Sequence, residues 1–284
     1  MYIKILLFLG IILFFIKKIY TKYFLIIIDS IASFLTYIII FINYKNRISI
    51  IHRNLDLVFQ NKIHNKKEIT FKVVKLSLIN LLIAIQQNYI LKSNCLLPYY
   101  NISIPPQLKE DIKTSKCIFA LAHYGIFYDF ATAHLLLDNM ACVYKFNNPY
   151  IEKLVFSKSI PKTKIFPIKH TELNKFYKNN QPIMTIPCDQ KGASNKNIIT
   201  FLNQETNFHS SVNVIQKITK RSVWIYLCYY DFEQKKIIPK IIPVHRKNLN
   251  SKNLTQSIAD IFSKEILNNP EQYFWLHNRF NLSF

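Results

Sequence analysis

The sequence predicts an α/β fold: a mixed, largely parallel sheet flanked by helices, behind an N-terminal membrane-attached helical segment. Three observations lead there. From about residue 115 onward, short apolar runs alternate with stretches of helical periodicity, the pattern of strands joined by crossover helices. Ahead of them, Ile69, Val73, Leu76, Ile79, Leu82 and Ile85 recur at helical spacing within residues 69–92. Ahead of that helix, much of the first 45 residues is apolar.

The elements follow in chain order. Residues 5–16 are apolar but short for a bilayer span; Lys17, Lys18 and Lys22 come next. Residues 24–43 are long enough to cross a hydrocarbon core of about 30 Å. Yet Asp29, Ser33 and Thr36 recur there at helical spacing, with Ser30 and Tyr37 beside them. Such a stripe suits a helix that faces protein or lies in the interface. One span, a hairpin and an in-plane helix all remain open. No small-residue cleavage site follows the first run, so the segment reads as uncleaved. Lys45, Arg47 and Arg53 after it place the remainder on the cytoplasmic side. Residues 1–45 are therefore an anchor and residues 46–284 one catalytic-sized domain. Within it, 46–110 is a helical lead-in and 111–284 an α/β core.

After a basic hinge at 61–68 and the amphipathic helix, Pro105 and Pro106 mark a loop. Strands are expected at 117–122, 141–146, 164–168, 182–187, 198–202, 222–229 and 237–244. Helices are expected at 127–137, 149–157, 171–178, 211–220 and 254–267.

Composition narrows the chemistry. Among 284 residues there are only 3 glycines: Gly10, Gly125 and Gly192. Dinucleotide fingerprints, P-loops and nucleophile elbows need clustered glycines, so those enzyme classes are disfavoured. Lys+Arg total 37 against 16 Asp+Glu, a net charge of +21. The excess points to an anionic partner, although coding bias toward Lys contributes. Nucleic acid would need a recognisable module, and none is present. The five cysteines (Cys95, Cys117, Cys142, Cys188, Cys228) show no C-x-x-C spacing and read as buried free thiols of a reducing compartment. His134, His170, His209 and His245 have no metal-site spacing.

Residues 117–130, CIFALAHYGIFYDF, carry the chemistry. A strand ends at Ala122, His123 follows, then Gly125, then a helix-like run with Asp129. Ligands of open α/β sheets bind at strand carboxyl ends. A histidine there with a carboxylate downstream has the parts of a general base and its orienting acid. Gly125 would let a substrate approach the backbone. The same pattern alone also fits a histidine capping a helix.

With that segment, the chain resembles the lipid A biosynthesis late acyltransferases of the lysophospholipid-acyltransferase-like superfamily. The resemblance extends over most of the chain. Arg47, Arg53, Asn54, Leu55 and Phe59 resemble the basic Asn-Leu segment that follows the anchor in that family. VYKFNNPYIEKL (143–154) resembles its Asn-Pro helix start, with Asn148 and Pro149 in place. IPCDQKG (186–192) resembles its strand ending in Asp, and PEQYFWLHNRF (270–280) its C-terminal block. The resemblance implies a glycerolipid-acyltransferase-like fold and an inner-membrane enzyme. It implies acyl transfer from acyl carrier protein to a hydroxyl of a phosphorylated glycolipid acceptor, in contact with membrane lipids. No cofactor, no metal and no nucleic acid is implied. The catalytic residues would be His123 and Asp129. Gly125, Tyr128, Asn148, Lys158, Asp189, Gln190 and Lys191 would meet the substrates.

Two departures stand out. The motif in the family is His, four residues, then Asp or Glu. Here that position is Tyr128 and Asp129 is one further on, a rotation of about 100° on a regular helix. Either an irregular junction lets Asp129 reach His123, or Tyr128 takes the partner position. The arginine usual after the Asn-Pro segment is replaced by Lys158, which supplies charge without a bidentate fork. Residues 151–200 hold Lys153, Lys158, Lys162, Lys164, Lys169, Lys175, Lys178, Lys191 and Lys196 against Glu152, Glu172 and Asp189. This basic excess suits a phosphorylated lipid and an acidic carrier. The alternatives are a different glycolipid or phospholipid acceptor, or a catalytically impaired membrane protein that binds anionic lipid. The C-terminal block, with Tyr273, Trp275 and Arg279, reads mainly as packing.

Overall fold

The computed structural model describes residues 23–42, 47–86, 90, 95–114, 116–127, 140–144, 165–169, 183–190, 198–244 and 251–280. The first apolar run and the expected helices at 149–157 and 171–178 lie outside these residues, as does nearly all of 127–137.

Helix α1 (Phe24–Phe41) buries one face, formed by Phe24, Leu25, Ile28, Asp29, Ala32 and Thr36. The Ser30, Ser33 and Thr36 hydroxyls donate to carbonyls one turn back, at 2.9, 2.8 and 2.7 Å. The helix thus absorbs most of its own polarity; Asp29 remains and is used below. Helix α2 (Arg47–Phe59) stops where Gln60 and Asn61 take positive φ. The chain re-enters helix at once, so the expected hinge is a short turn. Helix α3 (Lys66–Ile85) begins three residues before the predicted start and packs along α1. Helix α4 (Pro106–Lys113) opens on proline, whose fixed φ and missing N–H cost nothing at a first turn.

The core is a six-stranded sheet of order β3-β2-β4-β1-β7-β8. Its strands are β1 (Cys117–Gly125), β2 (Met140–Tyr144), β3 (Ile165–Lys169), β4 (Ile183–Pro187), β7 (Ser222–Asp231) and β8 (Lys236–Pro243). All neighbours are parallel except β7 and β8. The predicted mixed, largely parallel α/β sheet is therefore present. One expected strand behaves differently: β5 (Ile198–Phe201) pairs antiparallel with β6 (Gln204–Asn207) in a separate hairpin. β6 reads Gln-Glu-Thr-Asn, with no apolar alternation to announce it. Leu202 and Asn203 turn the hairpin with positive φ.

Alternate residues of β1 serve the two faces of the sheet. Ile118, Ala120 and Ala122 enter the larger core with α1, α3, α5 (Ser211–Thr219) and α6 (Ser251–Asn268). Cys117 and Phe119 enter a smaller one with Leu108 of α4, Met140, Cys142, Ile183 and Trp224. Asp111 ties α4 to β7, accepting from Ser222 Oγ at 2.6 Å and Trp224 Nε1 at 2.9 Å. All five cysteines are buried and unbridged; burial pushes Cys117 up to about 12 and Cys142 up to about 11.

Candidate active site

β1 is the pivot. It pairs in regular register with β4 from Ile118 to Leu121, and Cys188 N–H extends the ladder to the Leu121 carbonyl at 3.0 Å. Against β7 the register slips between Leu121 and Gly125, where β1 holds two more residues than its partner. The bulge carries His123. Bulges of this kind re-aim side chains at the ends of strands.

Gly125 terminates the bulge at φ +60, and a Cβ there would stand 1.7 Å from the Cys228 carbonyl oxygen. The glycine is thus required by the neighbouring strand, a reason separate from the expected approach of substrate. Ile126 N–H donates to Cys228 O at 2.7 Å, so it is not free to hold an oxyanion. Asn80 of α3, which sequence reasoning missed, donates to the Gly125 carbonyl at 2.7 Å. A buried polar residue in an apolar helical stripe was the available signal.

The parallel pairing of β1 with β4 brings Asp189, two residues past β4, to His123. Asp189 Oδ1 lies 2.8 Å from His123 Nδ1, and its Oδ2 accepts the His123 backbone N–H at 3.1 Å. One carboxylate therefore fixes both ring and backbone of the same residue. With Nδ1–H donating to Asp189, Nε2 is the basic nitrogen, and Gln190 Nε2 approaches it at 3.2 Å. Asp189 is 2 % exposed, while the His123 side chain retains 20 %, so the ring reaches outward from a buried anion.

The electrostatics follow from this geometry. Burial pulls the His123 imidazole down, but the Asp189 charge and hydrogen bond outweigh it and hold it above the ordinary value. Burial pushes Asp189 up, yet the His123 charge and hydrogen bonds, with a smaller share from Arg279, hold it below the ordinary carboxylate value. Arg279 is 3 % exposed. Its guanidinium sits 5.1 and 5.3 Å from the Phe201 and Phe208 ring centres and donates to Asn207 O at 3.0 Å. It supplies a desolvated positive charge beneath Asp189.

The C-terminal block supports the same point. Phe274 N–H donates to His123 O at 3.0 Å, and Tyr124 bridges Tyr273. The rings of Phe127 and Phe274 stand 5.0 and 6.1 Å from the imidazole, forming an apolar wall. Helix α2 grips the block from behind. Asn54 Nδ2 donates to Trp275 O and His277 O, both at 2.9 Å, and Arg47 Nη1 to Leu276 O at 3.3 Å. Two motifs more than 200 residues apart thus form one clamp around His123, which gives the C-terminal block a positioning role as well as a packing one.

The structure brings His123, Gly125, Asp189 and Gln190 together. Asp129, Tyr128, Asn148, Lys158 and Lys191 lie outside the described residues. The carboxylate seen at His123 Nδ1 is Asp189, where Asp129 was expected.

A family model, bacterial lipid A biosynthesis acyltransferase, matches residues 1–281. The chain belongs to that family. No individually curated protein matched it. A lipid A acyltransferase family member is a transferase whose acceptor is of the lipid A type. Among the described residues, the His123–Asp189 pair at the carboxyl edge of the sheet has the geometry to move a proton.

Proposed function

We propose that this acyltransferase moves a fatty acyl chain from acyl carrier protein to a hydroxyl of a lipid A precursor. It would work at the bacterial inner membrane with the catalytic domain on the cytoplasmic side. The observation that carries the mechanism is the two-point contact between His123 and Asp189. His123 Nε2 takes the proton of the acceptor hydroxyl as its oxygen attacks the thioester carbonyl. The tetrahedral intermediate collapses, the C–S bond breaks, and the imidazolium returns its proton to the leaving thiolate. Asp189 holds the Nδ1–H tautomer and stabilises the imidazolium in between. Gln190 marks the place where the acceptor hydroxyl enters and is displaced by it.

No cofactor or metal is called for in this chemistry. Asp129, one residue beyond the motif's acid position, is assigned as a second carboxylate of the site, with Tyr128 at that position beside it. Asn148, Lys158 and Lys191 are assigned to the substrates, the lysines to phosphate or to the acidic carrier. Membrane lipids complete the partners; nucleic acid has no place in the scheme. The cytoplasmic side is supported by the five buried, unbridged cysteines, which suit a reducing compartment.

The test is a purified-enzyme assay with an acyl carrier protein thioester and a lipid A precursor. His123→Ala should lose about 10³-fold in turnover, within the range for removal of a general base. Normal turnover of that variant would overturn the mechanism. Mass spectrometry of lipids from a deletion strain tests the acceptor: unchanged lipid A with another lipid lacking a chain would reassign it.

A further inference from the structure

Helix α1 has two unlike faces. The inner one is locked to the domain by a buried ionic cluster that the proposed chemistry does not use. Asp29 Oδ1 lies 2.8 Å from Lys75 Nζ and accepts from the Tyr230 hydroxyl at 2.7 Å, while Oδ2 lies 3.1 Å from Lys235 Nζ. Asp29 and Lys75 are 7 % and 8 % exposed as side chains. The outer face is largely apolar and exposed: Ile26 is 42 % exposed, Phe34 66 %, Tyr37 68 % with one side of its ring on Phe71, Ile38 42 % and Phe41 90 %, while Ser30 between them returns its hydroxyl to the Ile26 carbonyl. These positions follow helical spacing and form one stripe.

Length and hydropathy alone would allow α1 to cross a bilayer. Its contacts argue otherwise. Lys235 belongs to the turn between β7 and β8, which also carries Glu233, with Asp231 and Lys236 at the adjoining strand ends. If α1 crossed the membrane while docked as it is, this charged hairpin would be drawn into hydrocarbon, where each ionised side chain is costly. The flanking charges agree. Lys17, Lys18 and Lys22 precede α1 and Lys45 follows it. A span keeps its basic excess on one side of the membrane; basic residues at both ends suit a helix whose two ends touch the same surface.

We infer that α1 lies in the plane of the membrane, its outer stripe in the headgroup–acyl boundary of an anionic leaflet. Asp29 sets its rotation. Phe34, Tyr37 and Phe41 enter the acyl layer while Asp29, Lys75 and Lys235 stay in the protein. This deepens the membrane-enzyme reading above and depends on it only for its setting.

The experiment uses the full-length protein with Ile26→Cys, Phe34→Cys or Phe41→Cys, each labelled with an environment-sensitive fluorophore. The five native cysteines are buried, so the new thiol is the one that reacts. Vesicles contain phosphatidylglycerol and carry nitroxides at shallow or deep acyl positions. The in-plane helix predicts the same shallow depth at all three sites, with shallow nitroxide quenching more strongly than deep. A spanning helix would separate Ile26 and Phe41 by about 22 Å along its axis and place Phe34 deepest, which would overturn the inference. Absence of quenching at all three would mean that protein covers the stripe, and would overturn it too. Binding to purely zwitterionic vesicles should be at least about tenfold weaker; equal binding would remove the anionic leaflet from the proposal. Turnover is not read, so failure here is separable from failure of acyl transfer, and His123→Ala should show the same depths as the parent.

Discussion

Replacing Asp189 with asparagine takes one negative charge from beneath the imidazole while nearly preserving shape. The carboxylate makes two hydrogen bonds to His123, at 2.8 and 3.1 Å. A hydrogen bond to a charged group contributes about 1.5–3 kcal/mol. Losing the charge where the imidazolium forms should therefore raise the barrier by about 3 kcal/mol, or roughly 10²-fold in kcat/KM. The pH dependence gives a second, independent readout. Asp189 holds His123 above its ordinary value of 6.5 against the opposing effect of burial. A general base works deprotonated, so wild-type activity should rise with pH through a midpoint above 6.5. Without the anion, burial prevails and the midpoint of Asp189→Asn should move down. Stability follows the same pair. The raised His123 contributes stability below 6.5 that is lost as pH rises through its folded value. The lowered Asp189 contributes stability above 3.8 that is lost as pH falls through its folded value. The difference in melting temperature between wild type and variant should thus be largest between those two values. The assay is steady-state acyl transfer from pH 5 to 9, with thermal melts in the same buffers. A variant within threefold of wild type, or one whose acid limb stays in place, would refute the role given to Asp189.

Other substitutions probe the supports. Gly125→Ala forces a Cβ against the Cys228 carbonyl at positive φ and should cost at least about 3 kcal/mol; a melting temperature within 2 °C of wild type, read against the roughly 2–4 °C per kcal/mol expected at this size, would contradict the close approach. Asn54→Ala removes two hydrogen bonds to the C-terminal block and should lower stability by about 2–3 kcal/mol, with faster hydrogen exchange at the Phe274 amide; unchanged exchange would dissolve the proposed clamp. Asp29→Ala leaves Lys75 buried and unpaired and should lose about 3–5 kcal/mol in urea unfolding. The double change Asp29→Leu with Lys75→Met should recover most of that; no recovery would mean the loss comes from packing.

The legible parts of the fold were those with a local signature. The runs behind β1, β4 and β7 announced themselves by apolar continuity, as strands buried on both faces do, and those behind β2, β3 and β8 by shorter apolar runs. β6 was silent because Gln204–Asn207 has neither apolar run nor alternation. The polar stripe of α1 was visible, but its purpose was not: the partner of Asp29 is a lysine in another helix, and nothing near residue 29 points to residue 75. In the site, His123 was legible from its strand end and its glycine. Asp189 is visible in the sequence as a strand-end acid beside the crevice, but its contact with Nδ1 is not, because only the parallel pairing of β1 with β4 brings the two together. Asp129 and Tyr128 lie outside the described residues.

The amino-acid sequence by itself determined the fold class, most of the described strands, the order of the motifs, the basic charge and the family. Those rest on periodicity, composition and motif order, which are local along the chain. Only the tertiary structure brought Asp189 to His123, and only it showed why Gly125 must be glycine and which residues of α1 face outward. Those depend on strand order, on a bulge that adds residues to one strand of a pair, and on ion pairs between distant segments. The physical reason is the same each time. A hydrogen bond or buried charge is satisfied by whatever the fold brings within about 3 Å, and separation along the chain carries little information about that.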